Sequence, residues 1–174
     1  MNRKQFILVA LATGGFVLAG ALTQSVSIAQ TDQVKTSMAA LQAATAKLGP
    51  PKIEGMEAVA GKDAPALYFG STKMNNSYDV VDAVVKEHGG TATLFAKAGE
   101  EYVRVATNVK KDDGSRAIGT VLDPKGPAFA MIKTGAPYYG DANILGKPYD
   151  TGYEPIKDAS GSVIGVYYVG YLKK

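Results

Sequence analysis

Two arginines, a lysine and a group of tyrosines in the second half of the chain are the side chains best suited to bind an organic anion. Arg104 and Arg116 flank a polar turn, and Lys147 lies further along the chain. A guanidinium group can donate two parallel hydrogen bonds to a carboxylate, and an ammonium group adds a compact positive charge. Seven of the ten tyrosines fall between Tyr138 and Tyr171, and each offers a hydroxyl donor on an apolar ring. These residue types favour a pocket for a small anionic metabolite.

Arg104 stands on a predicted strand, and its neighbours indicate which way its side chain points. Alternate residues of a strand point to opposite faces. Val103 and Val105 therefore share one face, and Arg104 shares the other with Tyr102 and Ala106. Two interpretations follow. The guanidinium group either reaches water, which is the usual place for an arginine, or lies on a semi-enclosed face beside an aromatic ring.

Arg116 and Lys147 also leave two interpretations open. Arg116 begins the strand predicted after the Asp113-Gly114 turn, so the two guanidinium groups either converge or simply flank the hairpin. Lys147 lies on a segment that the following proline stiffens, and a solvated loop lysine is the alternative to a cation in the pocket.

The sequence shows no motif for catalysis, metal binding or nucleotide binding. The chain has no cysteine and a single histidine, His88, which excludes thiolate catalysis and Cys-ligated metals. His88 ends a predicted helix, where a partly charged imidazole interacts favourably with the helix dipole. The Gly-x-Ser-x-Gly motif of a serine nucleophile is absent, and the glycines of Gly140–Lys147 are spaced wrongly for a phosphate loop. We therefore expect no catalytic residue, no metal and no cofactor.

The N-terminus has the layout of a secretory signal peptide. Two basic residues precede an uncharged run of about 17 residues, and Ser27 and Ala29 form a small-x-small cleavage site. We predict that residues 1–29 are removed by cleavage between Ala29 and Gln30, which leaves residues 30–174 as one periplasmic domain. An uncleaved signal anchor is the alternative. Loss of the two basic residues lowers the net charge from +3 to about +1, so the domain lacks the basic face that nucleic acid binding needs.

The first half of this domain is predicted to be mainly helix and loop. A helix is predicted over Thr31–Leu48, because Val34, Met38, Leu41 and Leu48 form one apolar stripe. Residues 49–65 are rich in Gly, Pro and charge and predict a loop, followed by a strand at Ala66–Phe69. A second helix is predicted up to His88, with Ser77 as its N-cap.

The second half is predicted to be a series of antiparallel strands. Short apolar-alternating runs are separated by Gly, Asp and Asn, which is typical of such strands. Strands are predicted near 91–97, 101–109, 116–122, 137–145, 149–157 and 162–172, with a short helix over 126–133 that has Pro127 in its first turn. The last strand is apolar or aromatic on both faces and is therefore predicted to be central. A helix followed by an antiparallel meander indicates an α+β fold.

The same region resembles the extracytoplasmic sensor domains of the Cache superfamily, in particular the single-module Cache-3/Cache-2 fusion type found on bacterial chemoreceptors and histidine kinases. The order of the matching runs, over about the last 110 residues, is more specific than any one of them. The runs that carry the resemblance are Arg104–Asn108, Gly114–Thr120, Gly146–Tyr149, Tyr153–Ile156 and Val163–Gly165.

The resemblance implies a PAS-like sheet of five or six antiparallel strands, with a long N-terminal helix on one face. Short helices and loops would cover a ligand pocket on the other face. The matching segments assign Arg104, Arg116 and Lys147 to the pocket as cations, and Tyr138, Tyr149 and Tyr153 as hydroxyl donors. Homodimerisation through the N-terminal helix would also be in keeping with this family.

Three hypotheses about function follow. The first is an exported module that binds a small organic anion, such as a short-chain mono- or dicarboxylate, without transforming it. Because the chain ends directly after its last predicted strand, we expect the module to pass its ligand state to a separate membrane receptor or histidine kinase. The second is a structural or inhibitory partner protein of the cell envelope. The third, an enzyme, is the weakest, because no nucleophile–base pair is found.

Overall fold

The computed structural model describes the backbone of residues 19–173 and the side chains of residues 31–173. The chain begins there with a long helix, α1 (Ala19–Ala46), whose side chains at Val34, Met38 and Leu41 are buried. The apolar stripe predicted within Thr31–Leu48 is therefore confirmed. The predicted cleavage site lies inside α1, and residues 1–18 of the predicted signal peptide lie outside the described residues. Within the described residues, no helix is both long and apolar enough to cross a membrane.

A β-hairpin follows α1 where a loop was predicted. Strands β1 (Pro51–Val59) and β2 (Lys62–Phe69) pair antiparallel, and the short strand β3 (Thr72–Lys73) pairs with β2. The prediction of a loop over residues 49–65 is therefore wrong. Most side chains of β1 are exposed, so the strand has no apolar alternation by which to recognise it. Its glycine, Gly55, lies at an irregularity of the register, where a glycine is often found.

The second helix, α2 (Asp79–His88), buries Val81 and Val84. Tyr78 precedes its first residue, and no side chain donates or accepts a capping hydrogen bond there, so the prediction of Ser77 as the N-cap is wrong. The acidic residues of its first turn instead provide a favourable interaction with the positive end of the helix dipole.

Five antiparallel strands form the central sheet. They are β4 (Thr91–Ala98), β5 (Glu101–Thr107), β6 (Tyr138–Ile144), β7 (Lys147–Lys157) and β8 (Val163–Leu172), and their order in the sheet is β5-β4-β8-β7-β6. The last strand of the chain, β8, is the middle strand of this sheet. The prediction that it is central, made from its two apolar faces, is confirmed.

Residues 116–122, which we call the edge segment, run along β5 but do not form a strand. Their contact with β5 consists of an isolated bridge between Val103 and Val121 and a few backbone hydrogen bonds. The predicted strand at 116–122 is therefore wrong, although the predicted position beside the preceding strand is right. The chain then turns into the short helix α3 (Pro127–Lys133), and the predicted place of Pro127 in its first turn is confirmed.

The two faces of the central sheet carry separate hydrophobic clusters. On the helix face, α1 and α2 pack over a cluster that includes Leu94, Val103, Val105, Tyr167 and Val169. On the opposite face, which we call the cavity face, α3 packs over a cluster that includes Phe95, Tyr102, Tyr153, Val166 and Tyr168. A bulge between β4 and β5 brings Ala106 into the helix-face cluster, so its predicted place beside Arg104 is wrong.

Candidate anion-binding cavity

Arg104 lies on the cavity face of β5, and the edge segment holds its backbone in place. The Arg104 amide donates to the carbonyl oxygen of Thr120 at 2.8 Å, and the Gly119 amide donates to the carbonyl oxygen of Arg104 at 2.9 Å. Gly119 has a φ of 76°, and a Cβ at this position would lie only 3.0 Å from the carbonyl oxygen of Val59. The tight turn of the edge segment therefore requires a glycine here.

The guanidinium group of Arg104 is buried without a carboxylate partner. Only 4% of the residue is exposed, and none of the salt bridges among the described residues includes it. Nη1 donates to Thr120 Oγ1 at 2.6 Å, and Cζ lies 5.0 Å from the centre of the Phe95 ring. Nε is buried and has no hydrogen bond partner in the described part of the chain.

Burial also acts on the ionisation of this arginine. It lowers the pKa of Arg104, and the nearby Tyr153 and Tyr168 hydroxyls act in the opposite direction. A guanidinium group nevertheless keeps its proton in proteins, because its ordinary pKa is above 12. Arg104 is thus a positive charge held in a poorly solvated place, which is unfavourable unless an anion accompanies it.

A cavity of about 440 Å³ opens beside Arg104. This volume lies within the range of ligand-binding pockets. Its wall is built from β5, the edge segment, the start of α3 and the hairpin between β6 and β7, and six aliphatic side chains contribute to it. They are Val121, Leu122, Ala128, Ala142, Ile144 and Leu145. The second cavity, between α1 and the β6–β7 pair, has a volume of only about 60 Å³.

Tyr153 lines the same cavity and supplies a hydroxyl group. Its ring lies between Tyr168, at 4.9 Å between ring centres, and Tyr138, at 6.2 Å. Burial is the main cause that raises the pKa of Tyr153, so its hydroxyl stays protonated at neutral pH. No hydrogen bond to this hydroxyl is found among the described residues. Tyr153 can therefore donate to an anion that also binds Arg104.

The rim of the cavity carries two exposed charges of opposite sign. Asp123 and Lys125 belong to the turn before α3, in which the Lys125 amide donates to Asp123 Oδ1 at 2.9 Å. The turn is closed by a bond from the Gly126 amide to the carbonyl oxygen of Asp123 at 3.1 Å. Both side chains are exposed, so each is screened by water far more than Arg104 is.

Leu145 stands at the tip of the β6–β7 hairpin, on the cavity wall. Its φ is 51° and that of Gly146 is 86°, which is the combination that a two-residue type I′ turn requires. Asn or Gly is favoured at both positions, whereas a leucine in this region is unfavourable by about 1–2 kcal/mol. Leu145 is also 42% exposed.

A comparison of the sequence with known protein families identifies the family of the chain. The sequence profile of the Cache 3/Cache 2 fusion domain matches residues 18–174. The chain belongs to this family. No curated protein matches the chain. The resemblance inferred from the sequence is confirmed, and the antiparallel sheet with its long helix agrees with a PAS-like Cache fold. Cache domains are extracytoplasmic domains that sense small molecules.

In this Cache domain, Arg116 does not line the cavity. Its Nη1 and Nη2 donate to the two carboxylate oxygens of Asp82 at 2.8 and 2.7 Å, and Nη1 also donates to the carbonyl oxygen of Thr107 at 2.8 Å. Its Cζ lies 4.4 Å from the centre of the Tyr78 ring. The hydrogen bonds that Arg116 donates to Asp82 raise the pKa of Arg116. Arg116 thus connects the edge segment to α2 rather than converging with Arg104.

The other predicted site residues lie around the cavity rather than in its wall. Lys147 is exposed at the start of β7, with Nζ 3.7 Å from Asp112 Oδ1. The Tyr138 hydroxyl donates to the carbonyl oxygen of Asp141 at 2.7 Å, and Tyr149 packs against the cavity-face cluster. Of the six predicted residues, the structure therefore brings Arg104 and Tyr153 together in the cavity wall of the Cache domain.

Sequence reasoning missed Thr120, which orients Arg104 without lining the cavity, and it also missed the Asp123 turn and Leu145, which do line it. Thr120, which accepts the hydrogen bond from Arg104, follows a glycine and has no periodic pattern around it. The Asp123-Pro124-Lys125-Gly126 run is a recognisable turn signal, but nothing in it indicates that it borders a cavity. The sequence does contain a signal for Leu145. A two-residue hairpin turn favours Asn before the glycine, so a leucine there indicates a role other than turn formation.

The described residues of the Cache domain contain no candidate metal site. No group of three His, Cys, Asp or Glu side chains there could hold a metal ion. His88 ends α2, as predicted, and its carbonyl oxygen accepts a hydrogen bond from the Tyr171 hydroxyl at 2.8 Å.

Proposed function

We propose that this domain binds a small organic anion, a short-chain carboxylate, and does not transform it. The observation that carries the proposal is the buried guanidinium group of Arg104, which faces a cavity and has no carboxylate partner among the described residues. Without a ligand, no counterion for this charge is found among the described residues. A carboxylate in the cavity would supply one and would accept hydrogen bonds from the guanidinium group.

Tyr153 adds a second donor to the proposed site, and Thr120 orients Arg104 from behind the cavity wall. Thr120 Oγ1 accepts from Arg104 Nη1 and donates to the carbonyl oxygen of Ala117 at 2.8 Å, so the orientation of the guanidinium group is fixed before a ligand arrives. Tyr153 offers its hydroxyl as a neutral donor. A site whose donors are held in place loses little conformational entropy when it binds.

Tyr138 and Tyr149 have a supporting role in this proposal, because they pack around the ring cluster that contains Tyr153. Arg116 and Lys147, by contrast, already have carboxylate neighbours outside the cavity, at Asp82 and Asp112. We therefore assign the anion to Arg104 rather than to a cluster of three cations.

The proposed role is that of a sensor module outside the cytoplasm. Its ligand state would be read by a separate membrane receptor or histidine kinase, the kinds of protein in which Cache domains typically occur. A homodimer formed through α1 belongs to the same proposal. Sedimentation of the purified domain at micromolar concentration should then give the mass of two chains.

Export to the periplasm rests on the signal peptide predicted for residues 1–29. Mass spectrometry of the protein from the cell envelope should find Gln30 as the first residue. Intact Met1 in a membrane fraction would support the uncleaved anchor instead.

Thermal denaturation with a ligand panel tests the proposed function directly. The panel pairs each carboxylate with its neutral amide and with an amine of the same chain length. A carboxylate present at about 100 times its Kd should stabilise the folded state by about 2.7 kcal/mol, which is visible as a higher melting temperature. The amide and the amine should give no shift. If no carboxylate raises the melting temperature, the proposal fails, and a structural or inhibitory role in the cell envelope becomes the better hypothesis.

A further inference from the structure

The volume of the cavity is large for the smallest carboxylates. At about 30 Å³ for each water molecule of the liquid, 440 Å³ corresponds to about fifteen waters. Acetate has four non-hydrogen atoms. With its carboxylate at Arg104, such a ligand would leave most of the wall in contact with solvent.

The wall that remains is mostly aliphatic. Leu122, Ala128 and Ile144 are buried side chains of the cavity-face cluster, and each also borders the cavity. Val121, Ala142 and Leu145 extend this apolar surface towards the rim. An apolar group that covers this surface gains the hydrophobic free energy of the area that both partners remove from water.

The charges of the cavity suit one carboxylate rather than two. Arg104 is the one buried cation that borders it in the described part of the chain. The other basic residue on the wall, Lys125, is exposed, and it is its backbone amide, not its ammonium group, that donates to Asp123 Oδ1. Beyond Arg104, a second carboxylate on the ligand would therefore meet an apolar wall and only exposed, water-screened charges of both signs, and loss of its own hydration would disfavour it.

Leu145 is the side chain whose position is hardest to explain by folding alone. The β1–β2 hairpin has a turn of the same kind at Ala60-Gly61, also with positive φ at both residues, and it carries only a small side chain. At Leu145 a large apolar side chain is kept in the same unfavourable conformation, exposed and on the cavity wall. Unfavourable backbone conformations of this kind cluster at binding sites.

We propose that the ligand is a monocarboxylate with an apolar body of several carbons, and that Leu145 contacts the apolar end. The proposal rests on the proposed function, because it takes the carboxylate to bind at Arg104. It adds the class of ligand and a residue that determines specificity.

Isothermal titration with straight-chain acids tests this proposal. Acetate, butyrate and hexanoate are titrated into the wild-type domain, together with succinate as the dicarboxylate that matches butyrate in carbon number. Each buried methylene should strengthen binding about fourfold, the equivalent of about 0.8 kcal/mol, so hexanoate should bind about fifteenfold more tightly than butyrate. Succinate should bind at least about tenfold more weakly than butyrate.

Leu145→Asn tests the specificity residue. Asparagine tolerates positive φ, so this variant should melt at the same temperature as the wild type or higher. Its affinity for acetate should stay within about twofold of wild type, while hexanoate should lose about fivefold or more, the worth of one or two methylene contacts. Met131→Asn is the control, because Met131 is also 42% exposed, lies on α3 and does not line the cavity. It should leave both affinities unchanged.

Two results would overturn the inference and leave the proposed function intact. The first is a wild-type domain that binds acetate, or succinate, as tightly as hexanoate. The second is a Leu145→Asn variant that keeps the wild-type preference for hexanoate over acetate. If none of the acids binds, both the inference and the proposed function fail. The titrations therefore distinguish failure of the inference alone from failure of both.

Discussion

The two faces of the central sheet differ in their unpaired polar groups rather than in their paired ones, since Tyr168 of the cavity face also pairs its hydroxyl, with Thr91 Oγ1 at 3.1 Å. On the helix face, hydroxyl groups are paired: Thr45 with Tyr167 at 3.1 Å, and Ser37 with Tyr171 at 2.6 Å. On the cavity face, Arg104 keeps a buried Nε without a partner, and no hydrogen bond to the Tyr153 hydroxyl is found among the described residues.

This difference distinguishes polar groups that hold the fold together from polar groups that are available to a ligand. Buried polar groups are almost always paired in folded proteins, so a paired network mainly holds elements together. The helix-face pairs do so between α1 and β8. Arg104 and Tyr153 border the cavity, where an external acceptor can add hydrogen bonds to the guanidinium group and the hydroxyl. The cavity face therefore carries the features of a binding surface, and the helix face those of a scaffold.

The two arginines show the same contrast. Arg116 has a bidentate carboxylate partner, a carbonyl acceptor and an aromatic neighbour. Arg104 has a hydroxyl acceptor and an aromatic neighbour, but no carboxylate in the described residues. The same residue type is thus a structural connection in one place and a candidate ligand anchor in the other.

The largest effect on stability is expected on the helix face. Leu41 is fully buried between α1 and the sheet, so Leu41→Ala should lower the free energy of unfolding by about 2–5 kcal/mol. Urea denaturation measures this loss. Carboxylate affinity should stay within about twofold of wild type wherever the variant remains folded. A large loss of affinity in the folded variant would contradict the division between the two faces.

A smaller effect on stability is expected for Arg116→Met. The variant loses a bidentate pair with Asp82 that is partly exposed to solvent, and the free energy of unfolding should fall by about 1 kcal/mol. Carboxylate affinity should not change, because Arg116 does not line the cavity. Weaker binding in calorimetry would return Arg116 to the ligand site.

Effects no larger than about 1.5 kcal/mol are expected for a matched pair of tyrosines, each losing one hydroxyl. Tyr167→Phe removes a hydrogen bond to Thr45 and should cost about 1 kcal/mol of stability, with no change in binding. Tyr153→Phe removes a hydroxyl with no described partner, so stability should be unchanged or higher. Its carboxylate affinity should fall by about 0.5–1.5 kcal/mol, which corresponds to roughly twofold to thirteenfold. Equal behaviour of the two variants would contradict the comparison.

The sequence predicted the parts of the fold that bury many apolar residues. The apolar stripe of α1 repeats with the period of a helix, and β8 shows a continuous apolar run, which is typical of a strand covered on both faces. The β1–β2 hairpin was missed because its first strand is largely exposed, so its residues are not constrained to alternate.

The candidate site was predictable only in part. Alternation along β5 indicated the face on which Arg104 lies, since Val103 and Val105 mark the other face. It could not indicate that Arg116 meets Asp82, because that pair joins residues far apart in the chain and depends on how α2 packs. Thr120 and Asp123 lie in irregular segments, whose positions come from tertiary contacts rather than from a local pattern.

The central claim is that Arg104 is a buried cation reserved for an external carboxylate, and Arg104→Met tests it most directly. Methionine keeps much of the side-chain volume and removes the charge. Isothermal titration with the tightest-binding carboxylate should show at least about a hundredfold loss of affinity, because a desolvated charge-assisted pair is worth several kcal/mol. Urea denaturation of the same variant should show stability equal to or above wild type, since no described carboxylate loses its partner. Arg104→Lys should restore little binding, because an ammonium group cannot reproduce the two parallel donors. Wild-type affinity in a folded Arg104→Met protein would contradict the account.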